Sequence, residues 1–274
     1  MSGGVLPGVG RTAVWVAGMR ASEGLRADRL FDDPFAGVFV AAAGAGVAPD
    51  LAAMPPGTAE FLAVRTRFFD DQVRMACAAG IGQVVLLAAG LDCRAFRLDW
   101  PDGVRLFELD LPDVFAFKQP VLASVDAVAG CGRVVVGVDL RTRWSGVLRA
   151  AGFDPRAATG WLAEGLLPYL QAEERERFLA TVTGLSAPGS RLMFDYHEPT
   201  AAERPAMRAI SDAVREMGAE LMPTVDSPPQ WLVEHGWQAE FFRVPALGEY
   251  YGRPLPAGVD LVASNAIVLT TASR

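Results

Sequence analysis

The sequence predicts an α/β fold: a doubly wound, mostly parallel, seven-stranded Rossmann-like sheet with an antiparallel edge. Three observations lead there. Short runs rich in Val, Leu and Phe recur at regular intervals, helix-sized spacers separate the first five, and the last two have no long helix between them. The first run, Val84-Val85-Leu86-Leu87, is apolar on both faces, as a central parallel strand must be. Further runs lie at 106–110, 134–139, 159–163 and 191–196, with spacers such as QAEERERFLATVTGL at 171–185. The runs at 241–245 and 265–271 supply the edge, because strands joined by a loop alone pair antiparallel.

The remaining elements fall into a leader and an insertion of one 274-residue domain. Residues 1–58 read as an N-terminal helical lid, with Trp15, Val16 and Met19 on one face, a break at FDDP (31–34), and a loop at MPPGT. The apolar run 38–48 is too short to span a bilayer and too rich in Gly and Ala to anchor in one, so it reads as a buried helix or its end. Residues 59–200 form the core, opening on the helix FLAVRTRFFDDQVRMACAAG that Gly80 ends. Residues 201–240 read as a helical insertion, with His235 on its surface, and 241–274 as the C-terminal strands.

Composition narrows the partners. Hydrophobic residues make up 51% of the chain, enough for a sizeable core. With a net charge of −7 and Lys118 as the sole lysine, the chain lacks the cationic field that nucleic acid or an anionic membrane demands. The three cysteines, Cys77, Cys93 and Cys131, form no CxxC pair, which predicts free thiols and no metal site. The opening MSGGVLPGVG has neither the basic region nor the apolar stretch of a signal peptide, so the expected location is cytoplasmic.

Ligands of such sheets bind beyond the carboxyl ends of the strands. A dinucleotide fingerprint would put glycines where Ala88, Gly90 and Cys93 stand, so the pyrophosphate cradle is mostly absent and a nicotinamide oxidoreductase is disfavoured. Gly90 lets a ligand approach the backbone. Asp110, 20 residues on at the end of the second strand, can accept from both hydroxyls of a ribose. The third strand ends in Val138-Asp139-Leu140, an acceptor for an exocyclic amine beside an apolar wall for a purine, and the fourth ends at Glu164. Three carboxylates without a phosphate cradle describe a nucleoside-like ligand that carries positive charge, and S-adenosylmethionine fits. Asp92, Asp110 and Asp139 are each open to a second reading as turn or cap residues. Arg65 and Arg67, two apart, cannot share a helical face, so one reaches the site and Arg67 is favoured. His197 in FDYHEP is a candidate base or a structural strand-end histidine, and Trp15 and Tyr169 line the substrate or serve as core aromatics.

The blocks RTRFFDD, LLAAGLDCRAFRL, FELDLPDVFAFK and WLAEGLLPYL together resemble the leucine carboxyl methyltransferase family. The likeness is to its bacterial S-adenosylmethionine-dependent members of the small-molecule, polyketide type, and runs from TAVWVAGMRASEG to WLVEHGWQAEFF. The resemblance implies that Arg67 meets the methionine carboxylate, Gly90 lies against the ligand, Asp110 takes the ribose, Asp139 and Leu140 take the adenine, and Glu164 faces the ammonium or the substrate. The chain departs from the family at Ala88, where glycine is frequent, at Cys93 for Thr, and at Pro168 for Met. The implied reaction is methylation of the carboxylate of a small secondary-metabolite acid, with Arg20 orienting that carboxylate or helping to hold the donor. An ionised carboxylate needs no general base. The alternatives are a hydroxyl acceptor with His197 as base, a protein carboxyl group as acceptor, or a methyltransferase fold with a non-methylating role.

Overall fold

The computed structural model describes residues 8–44, 54–222, 228–256 and 267–274. Three helices come first: α1 (Gly8–Gly24), α2 (Ala36–Ala43) and α3 (Thr58–Ala78). The alternating core follows as β1 (Gln83–Leu87), α4 (Arg94–Arg97), β2 (Arg105–Asp110), α5 (Pro112–Ala123), β3 (Gly132–Gly137), α6 (Ser145–Ala150), β4 (Thr159–Ala163), α7 (Ala172–Gly184) and β5 (Arg191–His197). Then come α8 (Pro205–Glu216), α9 (Pro228–Glu234), β6 (Gln238–Arg243), α10 (Val244–Tyr250) and β7 (Ile267–Ser273).

The sheet order is β3-β2-β1-β4-β5-β7-β6. Strands β1 to β5 run parallel, and β7 is antiparallel to both β5 and β6. The antiparallel edge is therefore wider than two adjacent runs imply, because the last strand inserts between its predecessors. Strand β6 stops at Arg243, earlier than expected, since Pro245 starts α10 in its first turn. Strand β3 ends at Gly137, short of the expected 139.

All five residues of β1 and of β4 are buried, as a doubly covered centre requires. Their side chains alternate between two cores. Val84 and Leu86 join Leu62, Phe69 and Val73 of α3, while Val85 and Leu87 join Leu148, Phe178 and Val182 of α6 and α7. A third cluster packs α1 and α2 against the turn after β1, through Val14, Phe39 and Leu91. The run 38–48 is less buried than expected: α2 buries only Ala36 and Phe39, and 45–48 lie outside the described residues. Lys118 and Glu108 are both fully buried and pair at 2.8 Å, with Arg133 sharing the carboxylate. His235 follows α9 on the surface and stacks on Trp231 at 3.8 Å. Among the described residues, no helix is long and apolar enough to cross a membrane.

Ala88, directly after β1, holds φ +58°. A non-glycine residue in the left-handed region costs about 1–2 kcal/mol, whereas glycine there loses only about 0.5–1 kcal/mol of extra chain freedom. Ala88→Gly is therefore expected to stabilise the protein by about 0.5–1 kcal/mol, or to raise Tm by about 1–4 °C for a chain of this size. Calorimetric melting reads the effect, and a lowered Tm would show that Ala88 is not strained.

Candidate active site

Strand order reverses between β1 and β4, and a cavity partly open to solvent lies beyond the carboxyl ends of β1, β2, β4 and β5. Helices α1, α3 and α8 close it from the other side. The turn after β1 forms part of its floor. Gly90 takes φ +49° there, and its N–H donates to Asp110 Oδ2 at 2.6 Å. The second oxygen of Asp110 accepts from the Leu111 N–H at 2.7 Å. Burial pushes the Asp110 carboxyl up, and these two N–H groups oppose it. The carboxylate keeps lone pairs for a ligand.

A buried ion network stands beside that turn. The Arg94 guanidinium is fully buried; it donates to Asp70 of α3 at 2.7 Å, pairs with Asp92 in its own turn, and lies 2.8 Å from Glu164 at the end of β4. Arg97 holds the other oxygen of Asp70 at 2.6 Å. Glu164 also faces Arg65 at 3.2 Å and Arg20 at 3.7 Å, and Arg65 continues to Asp195, at the end of β5, at 3.1 Å. Asp195 in turn accepts the Gly165 N–H at 2.6 Å. Burial works to raise the Glu164 carboxyl, but Arg94, Arg65 and Arg20 outweigh it and hold it down at about 2. Burial raises Asp195 against the pull of Arg65. Arg65 and Arg94 meet Glu164 as ion pairs outside hydrogen-bond geometry and Arg20 stands farther off, and among the described residues Nε of Arg20, Nε of Arg65 and both Glu164 oxygens are buried without a hydrogen-bond partner.

Seven residues expected at the site line this cavity: Trp15, Arg20, Gly90, Asp110, Glu164, Tyr169 and His197. Three do not. Arg67 points away, chelating Asp71 at 2.9 Å and donating to the Leu30 carbonyl at 2.9 Å; Arg65, its neighbour two positions back, takes the cavity wall. Asp139 turns outward to a bidentate pair with Arg141, which holds its carboxyl below the usual range. Leu140 is buried in the apolar cluster of Trp144 and Leu148. Both follow β3, the outermost parallel strand, two places from the switch point. Asp195 also lines the cavity and was not among the residues expected there, and Arg65 was weighed there but set below Arg67. Asp92 proves both cap and ion partner, accepting the Arg94 N–H at 2.6 Å. Tyr169 hydrogen-bonds Thr12 of α1. The ring of His197 has no hydrogen bond among the described residues, and burial, with Arg65 nearby, lowers its pKa to about 4.

A mostly parallel α/β sheet, with its last strand antiparallel between β5 and β6 and a cavity at its switch point, defines a protein that binds its ligand beyond the strand ends. The comparisons narrow this. The profile described as leucine carboxyl methyltransferase matches residues 13–183. A protein of Parafrankia sp. (strain EAN1pec), named "Putative S-adenosyl-L-methionine-dependent methyltransferase", is 46% identical over 91% of this chain and 83% of its own. A like-named protein of Saccharopolyspora erythraea is 43% identical over 92% of this chain and 91% of its own. The chain belongs to the leucine carboxyl methyltransferase family, and the S-adenosylmethionine dependence expected from the sequence comes with membership. The fold also matches the crystal structure of a "putative methyltransferase from Thermobifida fusca YX", with TM-score 0.59, 18% identity, and 95% and 94% of the two chains covered. The residues present fit the donor: unpaired buried guanidinium N–H groups suit its carboxylate, Asp110 a diol, and Leu91 and Val114 a flat apolar ring.

These shifts fix an acid response. Glu164 is held at about 2 against an ordinary 4.5, so its stabilisation is present above about pH 4.5 and is lost as pH falls toward 2. His197 protonates at about 4 when folded but at 6.5 when unfolded, so stability also drains as pH falls from 6.5 toward 4. In urea denaturation at pH 7, 6 and 5, His197→Gln is expected to lose less stability on acidification than the parent. Identical pH slopes would mean that the folded protein protonates His197 freely.

Proposed function

We propose that the protein methylates the carboxylate of a small-molecule acid, with S-adenosylmethionine as donor. The observation that carries this reading is the pairing of two buried, incompletely bonded guanidinium groups with a cavity imidazole that is held neutral and has no orienting partner. Arginine recognises carboxylates, and two are at hand: that of the donor and that of the acceptor. Arg65 takes the role first expected of Arg67. Asp110 takes the ribose, Gly90 lets the ligand meet the backbone, and Glu164 holds the two arginines in register and offers its charge to the donor ammonium. Arg20, Trp15 and Tyr169 serve the acceptor from α1 and from the loop after β4. The enclosure by α1 and α8 favours a small acid of secondary-metabolite type over a protein chain.

S-adenosylmethionine supplies a methyl group already activated on a sulfonium. Transfer to an ionised carboxylate oxygen would leave the electron pair of the broken C–S bond on sulfur and would ask no residue of the chain to move a proton. The chain's work is alignment and exclusion of water.

Two measurements check the assignment. Asp110→Ala is expected to weaken donor binding by about 10- to 100-fold, the loss of hydrogen bonds to a charged group, in calorimetry on the folded variant. Unchanged affinity would remove Asp110 from the donor site. With a carboxylic acid acceptor the rate should rise with pH only while the acid ionises and stay flat beyond, and His197→Ala should cost little. A loss of about 10²- to 10⁴-fold in kcat with donor binding intact would instead make His197 a base and the acceptor a hydroxyl.

A further inference from the structure

The cavity is chemically two-sided. Its ionisable groups gather at the strand ends, Asp110, Glu164, Asp195 and His197, where Arg20 of α1 and Arg65 of α3 reach across to the carboxylates. The opposite wall is built from Trp15 and Val16 of α1, Phe61 of α3, and Met207, Ile210 and Val214 of α8. None of these six carries an ionisable group. On α8 the three sit at i, i+3 and i+7, a single stripe along the cavity side, while Asp212 and Arg215 on other faces pair with each other at 2.7 Å in solvent. Arg65 marks the seam, its guanidinium 5.3 Å from the centre of the Phe61 ring one turn earlier on α3. The ammonium, carboxylate and ribose of the donor match the floor group for group. The α8 wall has no counterpart on the donor's polar end.

We propose that the acceptor acid carries an extended apolar body, seated under α8 against Met207, Ile210 and Val214, with its carboxylate at the seam, taken by Arg20. This rests on the carboxyl-methylation reading and adds the substrate class: an amphipathic acid of alkyl or aryl-alkyl type in place of a polar hydroxy, keto or amino acid. An apolar wall gains about 25 cal/mol for each Å² it hides from water, and the three unbranched and branched aliphatic side chains of α8 adapt to such a body without demanding one shape. A polar acid would leave its hydroxyls or amines against this wall without partners.

The test is a homologous series. The protein, S-adenosylmethionine and straight-chain acids from butanoate to dodecanoate are assayed for methyl ester by mass spectrometry, beside a matched series of 4-alkylphenols. We expect kcat/KM to rise by about fourfold per methylene until the wall is filled, the fold-change corresponding to about 0.8 kcal/mol per buried CH₂. Ile210→Asp should flatten that slope, and so should the milder Ile210→Ser, while donor affinity by calorimetry stays unchanged. Esters formed at every length with no slope would overturn the apolar seat and leave carboxyl methylation standing. A slope confined to the phenols would overturn the carboxyl reading and leave the seat standing. If neither series turns over, the acids are titrated into the protein saturated with S-adenosylhomocysteine: affinity tightening about fourfold per methylene supports the seat, and affinity independent of length overturns it.

Discussion

The burial of the Arg94 guanidinium is the constraint on which the rest of the site depends. A cation with no exposed surface must be fully paired, because an uncompensated charge in the interior costs several kcal/mol. Its partners come from three places distant in the chain: Asp70 on α3, Asp92 in the turn after β1, and Glu164 at the end of β4. Satisfying one side chain therefore fixes the relative positions of a helix, a turn and a strand end. Glu164 extends the same constraint to Arg65 and Arg20, and through Arg65 to Asp195 on β5. Such a network adds little net stability over an apolar core of equal volume. What it supplies is a single geometry, with the cavity floor set before any ligand arrives.

The floor and the opposite wall answer to different physics. On the floor the cost of desolvating charge is met by charge, so groups are held at defined distances and each tolerates little displacement. On the α8 side the contacts are dispersive and non-directional, and Met207 and Ile210 can repack around bodies of different outline. A ligand of fixed structure calls for the first kind of surface, and an apolar body of variable outline for the second. Helix α1 belongs to both, with Arg20 in the ion network and Trp15 on the apolar side, and its Thr12 reaches Tyr169 across the mouth.

The strands were legible because burial on both faces leaves an uninterrupted apolar run, and Asp110 because a carboxylate at that strand end sits next to the turn that holds the ligand. Which of Arg65 and Arg67 lines the cavity was legible too, although Arg67 had been favoured. Thr58, Leu62, Arg65, Phe69 and Val73 follow the three-to-four spacing of the buried face, and all five are buried, whereas Arg67 has Asp71 one turn ahead as its natural surface partner. Asp139 was misplaced for a reason no local pattern carries: β3 lies at the sheet edge, and its carboxylate found Arg141 two residues on. Asp195 was hidden differently. Its cationic partner among the described residues, Arg65, is 130 residues away in sequence, and nothing in FDYHEP announces it.

The placement of the sole lysine bears on the chemistry in another way. A sulfonium methyl alkylates any free amine that reaches it, and a neutral lysine amine is among the better nucleophiles a protein can offer. Here Lys118 is spent behind β2, fully buried on Glu108, and the cations facing the cavity are arginines. A guanidinium stays protonated at physiological pH and so presents no lone pair to the donor. The cavity can thus set cations among its carboxylates without placing a lysine amine beside the methyl group.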